Sequence, residues 1–136
     1  QTSQIQALRW RNAQEPEVAW TTIAGGPTMA SPLLVGRQLL FVNDDGILHC
    51  VDAVSGVEHY RERLGCRFFA APLAADGRCY FFGGEGVTFV LAPGEKFVKL
   101  AENHLDGPVK ASPAAVDGSI FLRTDRSLYR IGRAGP

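Results

Sequence analysis

A small-residue–proline step returns at a nearly fixed interval along this chain. Ala30-Ser31-Pro32-Leu33 recurs as Ala70-Ala71-Pro72-Leu73 and again as Ala111-Ser112-Pro113-Ala114, the prolines lying 40 and then 41 residues apart. A repeat of that length marks supersecondary units that bury their apolar faces only by stacking on their neighbours. Each proline is followed by a short apolar run and a turn, at Gly36-Arg37, Asp76-Gly77 and Asp117-Gly118. Second runs follow at Leu39–Val42, Cys79–Phe82 and Ile120–Leu122. Polar turns come next, at Asn43-Asp44-Asp45-Gly46, Gly83-Gly84-Glu85-Gly86 and Thr124-Asp125-Arg126-Ser127. Third runs close each unit at Ile47–Val51, Val87–Leu91 and Leu128–Ile131.

These runs are too short for helices, are rich in β-branched and aromatic residues, and are bounded by Gly and Asp turns, so they read as strands joined by hairpins. More polar fourth strands are expected at Val57–Glu62 and Lys96–Leu100. Four antiparallel strands in about 40 residues is the period of a β-propeller blade. The expected fold class is therefore all-β, with about three blades of four antiparallel strands. Residues 30–63 and 70–102 make two blades, and residues 111–132 make a last blade without its outer strand. Stepping the pattern back by 40 places strands at 7–12 and 17–22. Asn12 then falls on Asp52, Ala13 on Ala53, Pro16 on Gly56 and Trp20 on Tyr60, which makes 7–22 the outer hairpin of a preceding blade. Together these segments form one partial propeller domain over residues 1–136.

Composition narrows the function classes. The 14 basic side chains balance the 14 acidic ones, which disfavours a nucleic-acid partner. No apolar run approaches the roughly 18 residues of a membrane-spanning helix. The opening Gln1-Thr2-Ser3-Gln4 lacks the basic and apolar regions of a secretory signal, as expected of a mature or excerpted chain. The three cysteines, Cys50, Cys66 and Cys79, have no C-x-x-C spacing, and Cys50 and Cys79 sit within apolar strand patterns, as small buried hydrophobes do. His49, His59 and His104 show no zinc-ligand spacing. Gly83-Gly84-Glu85-Gly86 precedes a strand where a phosphate cradle would open a helix. Ser31 and Ser112 stand before prolines, with no nucleophile elbow. No catalytic set and no metal site are expected. Arg123, Arg126 and Arg130 make the last unit locally basic, diluted by Asp117 and Asp125.

The stretch Val51-Asp52-Ala53-Val54-Ser55-Gly56-Val57-Glu58-His59-Tyr60 resembles the repeat of PQQ-like (quinoprotein-type) propellers, apolar-D-A-x-T-G-x-x-x-W. The resemblance implies that the closing aromatic docks between blades. Trp20 keeps the tryptophan and Tyr60 replaces it, so Trp20, Asp52, Gly56 and Tyr60 are the expected blade-docking residues. The second unit, with Ala92-Pro93-Gly94, lacks a docking aromatic at Val98. The ending Leu128–Gly132, preceded by Lys110-Ala111-Ser112-Pro113, resembles the last blade of bacterial propellers similar to an outer-membrane assembly lipoprotein of this fold. That implies a periplasmic or envelope-associated, extracytoplasmic protein. Quinoprotein dehydrogenases of this fold hold their quinone between a Trp and a vicinal disulfide beside calcium. This chain has no adjacent cysteines, and Asn43-Asp44-Asp45-Gly46, its one calcium-like cluster, reads as a tight turn. No cofactor is expected.

In a four-stranded meander the turns between second and third strands share a face with the blade-to-blade linkers, here Ala24–Met29, Gly65–Phe69 and His104–Lys110. Loops on a rigid scaffold carry binding, so Asp44, Asp45, Arg67, Glu85 and Lys110 are the candidate binding residues. The leading reading is a non-enzymatic scaffold or protein-interaction module. A carbohydrate- or small-ligand-binding propeller is the second, favoured if Phe68 and Phe69 are exposed, and a fragment of a quinoprotein oxidoreductase is the third. Three-odd blades cannot close a ring, and open blade faces would expose more apolar surface than monomers carry. Further blades, or a second copy of the chain, would then complete the ring. The surplus third strand at 7–12 favours further blades.

Overall fold

The computed structural model describes residues 3–12, 15–22 and 25–133. Among them every regular element is a strand. Strands β1 (Ile5–Arg9) and β2 (Glu17–Thr22) form a two-stranded hairpin. Blade 1 contains β3 (Leu33–Val35), β4 (Gln38–Val42), β5 (Ile47–Asp52) and β6 (Glu58–Arg63) in sequential order. Blade 2 repeats this with β7 (Leu73–Ala75), β8 (Arg78–Phe82), β9 (Val87–Leu91) and β10 (Lys99–His104). Blade 3 has three strands, β11 (Ala114–Val116), β12 (Ser119–Arg123) and β13 (Leu128–Gly132). All pairings are antiparallel.

The hairpin turns explain the sequence punctuation. Asp76-Gly77 and Asp117-Gly118 have positive φ at both positions, 49° and 68°, then 48° and 70°. That backbone matches the right-handed twist of the flanking strands, and Asp and Gly tolerate it at low cost.

Stability lies between the blades. Leu40, Val42, Leu48 and Cys50 of blade 1 pack with Cys79, Phe81, Phe89 and Leu91 of blade 2. On the other side of blade 2, Phe82 packs with Leu122, Val109 and Ala70. Alternation along each strand gives a central blade two buried faces, so β9 is buried at all its positions. β10 is exposed throughout, as expected of an outer strand at the rim.

Three expected positions are corrected. β1 begins two residues before residue 7 and ends at Arg9, leaving Trp10 outside the strand and 62% exposed. Ala7 pairs with Trp20 as Cys50 pairs with Tyr60. Trp20 therefore does match Tyr60, but the connection between β1 and β2 is three residues longer than assumed, and Asn12 and Pro16 do not match Asp52 and Gly56. The expected register would have set Trp10 opposite Trp20 on the crowded docking face, where the small Ala7 leaves room. β10 runs Lys99–His104 in place of 96–100. A β-bulge sits at the same place in all three outer hairpins, and it aligns Ala101, not Val98, with Trp20 and Tyr60. Residues Ala13, Gln14 and Ala24, and the tail Ala134-Gly135-Pro136, lie outside the described residues.

Candidate functional site

The loop face is built from backbone outward. In blade 1, Asn43 Oδ1 accepts hydrogen bonds from the N–H groups of Asp45 (3.1 Å) and Ile47 (3.0 Å). In blade 3, Thr124 Oγ1 does the same for Arg126 (3.3 Å) and Ser127 (3.1 Å). Asn43-Asp44-Asp45-Gly46 is thus a side-chain-stapled hairpin turn. The linkers are fastened to these turns. Asp44 Oδ1 accepts from both the N–H (3.1 Å) and the hydroxyl (3.0 Å) of Thr28. Gly84 N donates to the Arg67 carbonyl at 2.7 Å. Phe68 bridges Gly83, and Val109 bridges Thr124.

All five candidate residues are exposed on this face. Asp44 and Asp45 stand on the β4–β5 turn, Glu85 on the β8–β9 turn, and Arg67 and Lys110 on the linkers into blades 2 and 3. Asp44 spends its carboxylate on Thr28, and the Asp45 carbonyl accepts from Arg63 at 3.2 Å. Sequence reading missed the Thr28 clasp, which joins residues 16 positions apart. Phe68 is buried in the core and Phe69 packs over Gly84, so the exposed aromatic platform that a carbohydrate site needs is not formed by this pair. A cleft of about 210 Å³ lies on the opposite face, lined by Val35, Asp76, Arg78, Cys79 and Pro93 among others. It is smaller than the roughly 300 Å³ at which ligand pockets begin, and it contains no candidate residue.

Trp20 and Gly56 meet where the β1–β2 hairpin lies on blade 1, and Tyr60 faces blade 2. The Trp20 indole donates to the Ala53 carbonyl at 3.1 Å, and its ring covers Gly56, where a Cβ would come within 2.7 Å of it. Tyr60 packs edge-on against Phe97 of blade 2, ring centroids 6.0 Å apart. Asp52 staples the turn beneath Trp20: Oδ1 accepts from the N–H of Ser55 (2.8 Å) and of Val54 (3.0 Å), and Oδ2 faces Arg37 at 2.9 Å. The Ser55 N–H, helped by the Ser55 hydroxyl, the Val54 N–H and Arg37, holds the Asp52 carboxyl down at about 2. A depressed acid contributes stability that is complete above its unfolded pKa and is lost as pH falls through its folded one. The thermal advantage of the parent over Asp52→Asn is therefore expected at neutral pH and should shrink as pH falls from 3.8 towards 2. Melting curves across that range check it, and a gap independent of pH would contradict it.

His49 of β5 is buried, stacked on Phe41 at 5.0 Å and hydrogen-bonded through Nδ1 to Glu58 at 2.8 Å. Burial pulls the Glu58 carboxyl upward, but the His49 and Arg61 partners outweigh it and hold the group below its ordinary value. Burial pushes the Cys50 and Cys66 thiols up to about 11 and raises Cys79 as well. They are uncharged at neutral pH and poor nucleophiles.

Repeated four-stranded antiparallel sheets, packed face to face and clasped by their linkers, make this chain an array of β-propeller blades. Among solved structures it is similar to BamB from Moraxella catarrhalis, with a TM-score of 0.72 and 19% identity over 85% of this chain. The chain spans 38% of the length of that structure. No family model matches the chain, and no curated protein matches it. No helix among the described residues is long and apolar enough to cross a membrane.

Proposed function

We propose that these blades act as a non-enzymatic protein-interaction scaffold, with the loop face formed by Asp45, Arg67, Glu85 and Lys110, and Asp44 as its clasp, receiving the partner. The observation that carries the reading is how these charges are held. Each projects from backbone already fixed by a stapled turn or a linker bridge, so little ordering entropy remains to be lost on binding. The mixed charges suit a protein surface of alternating sign. The PQQ-like repeat and the last-blade motif support a bacterial, extracytoplasmic location at the cell envelope.

Photoreactive side chains placed at Glu85 and Lys110 are expected to capture a protein from a cell-envelope extract. The same groups at Asp76 and Asp117, on the opposite face, should capture none. Adding Arg67→Glu should lower the loop-face adduct at least fivefold. Equal capture from both faces, or none from either, would remove the basis for the reading.

A further inference from the structure

Two of the three thiols meet at the seam between blades 1 and 2, both of which are complete. Cys50 of β5 and Cys79 of β8 are fully buried in the core that joins these blades. The Cys50 thiol crosses the seam and donates to the Gly94 carbonyl of blade 2 at 3.7 Å. Cys79 pairs with Leu91, at the start of the turn that carries Gly94. Both sulfurs therefore sit beneath the β9–β10 turn. Burial above all raises the Cys50 thiol; the nearby Tyr60 phenol opposes it, and Cys79 and Glu95 add to it. The two sulfurs and the phenol thus share one electrostatic neighbourhood. The Tyr60 hydroxyl is itself buried and has no hydrogen-bond partner. The cleft of about 210 Å³ opens at this place, walled by Val35 of blade 1 and by Cys79 and Pro93 of blade 2, with the Asp76–Arg78 ion pair beside it. It is too small for an organic ligand, which needs roughly 300 Å³, but ample for an ion.

The seam is too wide for a disulfide. No Cα atom of β5 lies within 8 Å of one in β8, whereas a disulfide closes only when the Cα atoms are within about 7 Å. A metal ion held in line between two thiolates spans more. Two bonds of about 2.3 Å set the sulfurs about 4.6 Å apart, against about 2.0 Å in a disulfide. The extra reach of about 2.6 Å suits Cα atoms about 9–10 Å apart, the spacing of stacked sheets. No group of three or more His, Cys, Asp or Glu side chains converges among the described residues, so the four-ligand shell of zinc is not offered here. Two sulfurs alone suit a soft cation.

We propose that Cys50 and Cys79 form a two-coordinate site for a soft monovalent cation of the copper(I) class, reached through the cleft. A sulfur–metal bond replaces the S–H bond at each cysteine, two protons leave to water, and no electron is transferred. The complex carries one negative charge, and the Tyr60 hydroxyl donates to the Cys50 sulfur to offset it. The bound ion ties blade 1 to blade 2. The site shares no residue with the loop face, so it stands or falls apart from the scaffold reading.

The test is anaerobic titration of the intact chain with copper(I) against a bicinchoninate competitor. One ion per chain is expected, and X-ray absorption should show two sulfur neighbours. Because two protons are released, the apparent affinity should rise about 100-fold for each pH unit between about pH 6 and 8. Cys50→Ala and Cys79→Ala should each lower it by about 100-fold or more. Tyr60→Phe should lower it by about fivefold, and Cys66→Ala should bind as the parent does. Melting curves of the metal-free variants show whether they are folded; if one is not, the proton release and sulfur shell of the parent decide. Affinity that survives the loss of either Cys50 or Cys79, that depends on Cys66, that ignores pH, or that is absent would overturn the proposal. So would a Cys50–Cys79 disulfide formed on oxidising the metal-free chain. An affinity unmoved by Tyr60→Phe would overturn the role given to the hydroxyl.

Discussion

Replacing Gly86 by alanine is expected to destabilise the protein by about 3–4 kcal/mol, the sum of a left-handed backbone and a forced main-chain displacement. Gly86 has φ +89°, and a Cβ there would collide with the Leu105 carbonyl and lie 2.6 Å from that of Gly107. Both belong to the linker into blade 3, which crosses this turn and is tied to it by the Leu105 N–H donating to the Gly86 carbonyl at 3.0 Å. A flexible side chain could swing away, but two backbone carbonyls in a clasped linker cannot. Gly77 supplies the comparison. Its φ is +68°, yet nothing lies within 4 Å of a built Cβ, so Gly77→Ala keeps only the conformational cost of about 1–2 kcal/mol. Thermal unfolding should show Gly86→Ala melting lower by about 10 °C and Gly77→Ala by about half of that or less. Equal losses would mean that the linker does not bear on the turn. Gly46 repeats the arrangement against the Cys66 carbonyl. The turn of blade 3, closed by Thr124 N to Ser127 O, is one residue shorter and has no such glycine.

This correspondence shows where the sequence was legible. The second and third strands of each blade are apolar and bounded by Gly and Asp turns, and their expected runs lie within one residue of the observed strands. In blades 1 and 2 burial on both faces of β5 and β9 ties their pattern to their place. Among the outer strands, β2 lies at its expected 17–22 and β6 within one residue of 57–62, while β10 slipped because burial does not constrain it. β10 is exposed along its whole length, so Lys96–Leu100 and Lys99–His104 present no difference that hydrophobic alternation could detect. The bulge that skips Leu100 between Lys99 and Ala101 leaves no composition signal. The loop face was legible in outline because meander topology alone puts second-to-third turns and linkers together. The engagement of Asp44 by Thr28 was not, since it depends on how closely two separate loops approach. The arginines of blade 3 were visible as a basic cluster, but only the register shows that Arg123 and Arg130 occupy positions that are apolar in the other blades, Val42 and Phe82 for the first and Cys50 and Val90 for the second.

Substituting Trp20 by alanine is expected to release the β1–β2 hairpin while blades 1 and 2 stay folded. A lone two-stranded hairpin is marginal in water, and Trp20 and Ser3 fasten this one to the chain that follows. The Trp20 indole lies on Gly56 and donates to Ala53, and Ser3 exchanges two hydrogen bonds with Gly26, at 2.8 and 3.1 Å. Removing the indole takes away about 3 kcal/mol of packing and hydrogen bonding. At 1.4 kcal/mol per tenfold change, amide exchange in Ile5–Arg9 and Glu17–Thr22 should accelerate about 100-fold. Amides of β4, β5, β8 and β9 should exchange as in the parent. Gly56→Ala should produce the same local release from the other side, because its Cβ would meet the indole at 2.7 Å. The two changes cannot add. Once Trp20 is gone the clash has no partner, and Gly56→Ala retains only the cost of φ +74°. Strict additivity, or acceleration spread evenly through the blades, would show that Trp20 supports the whole array and not the docking of its first hairpin.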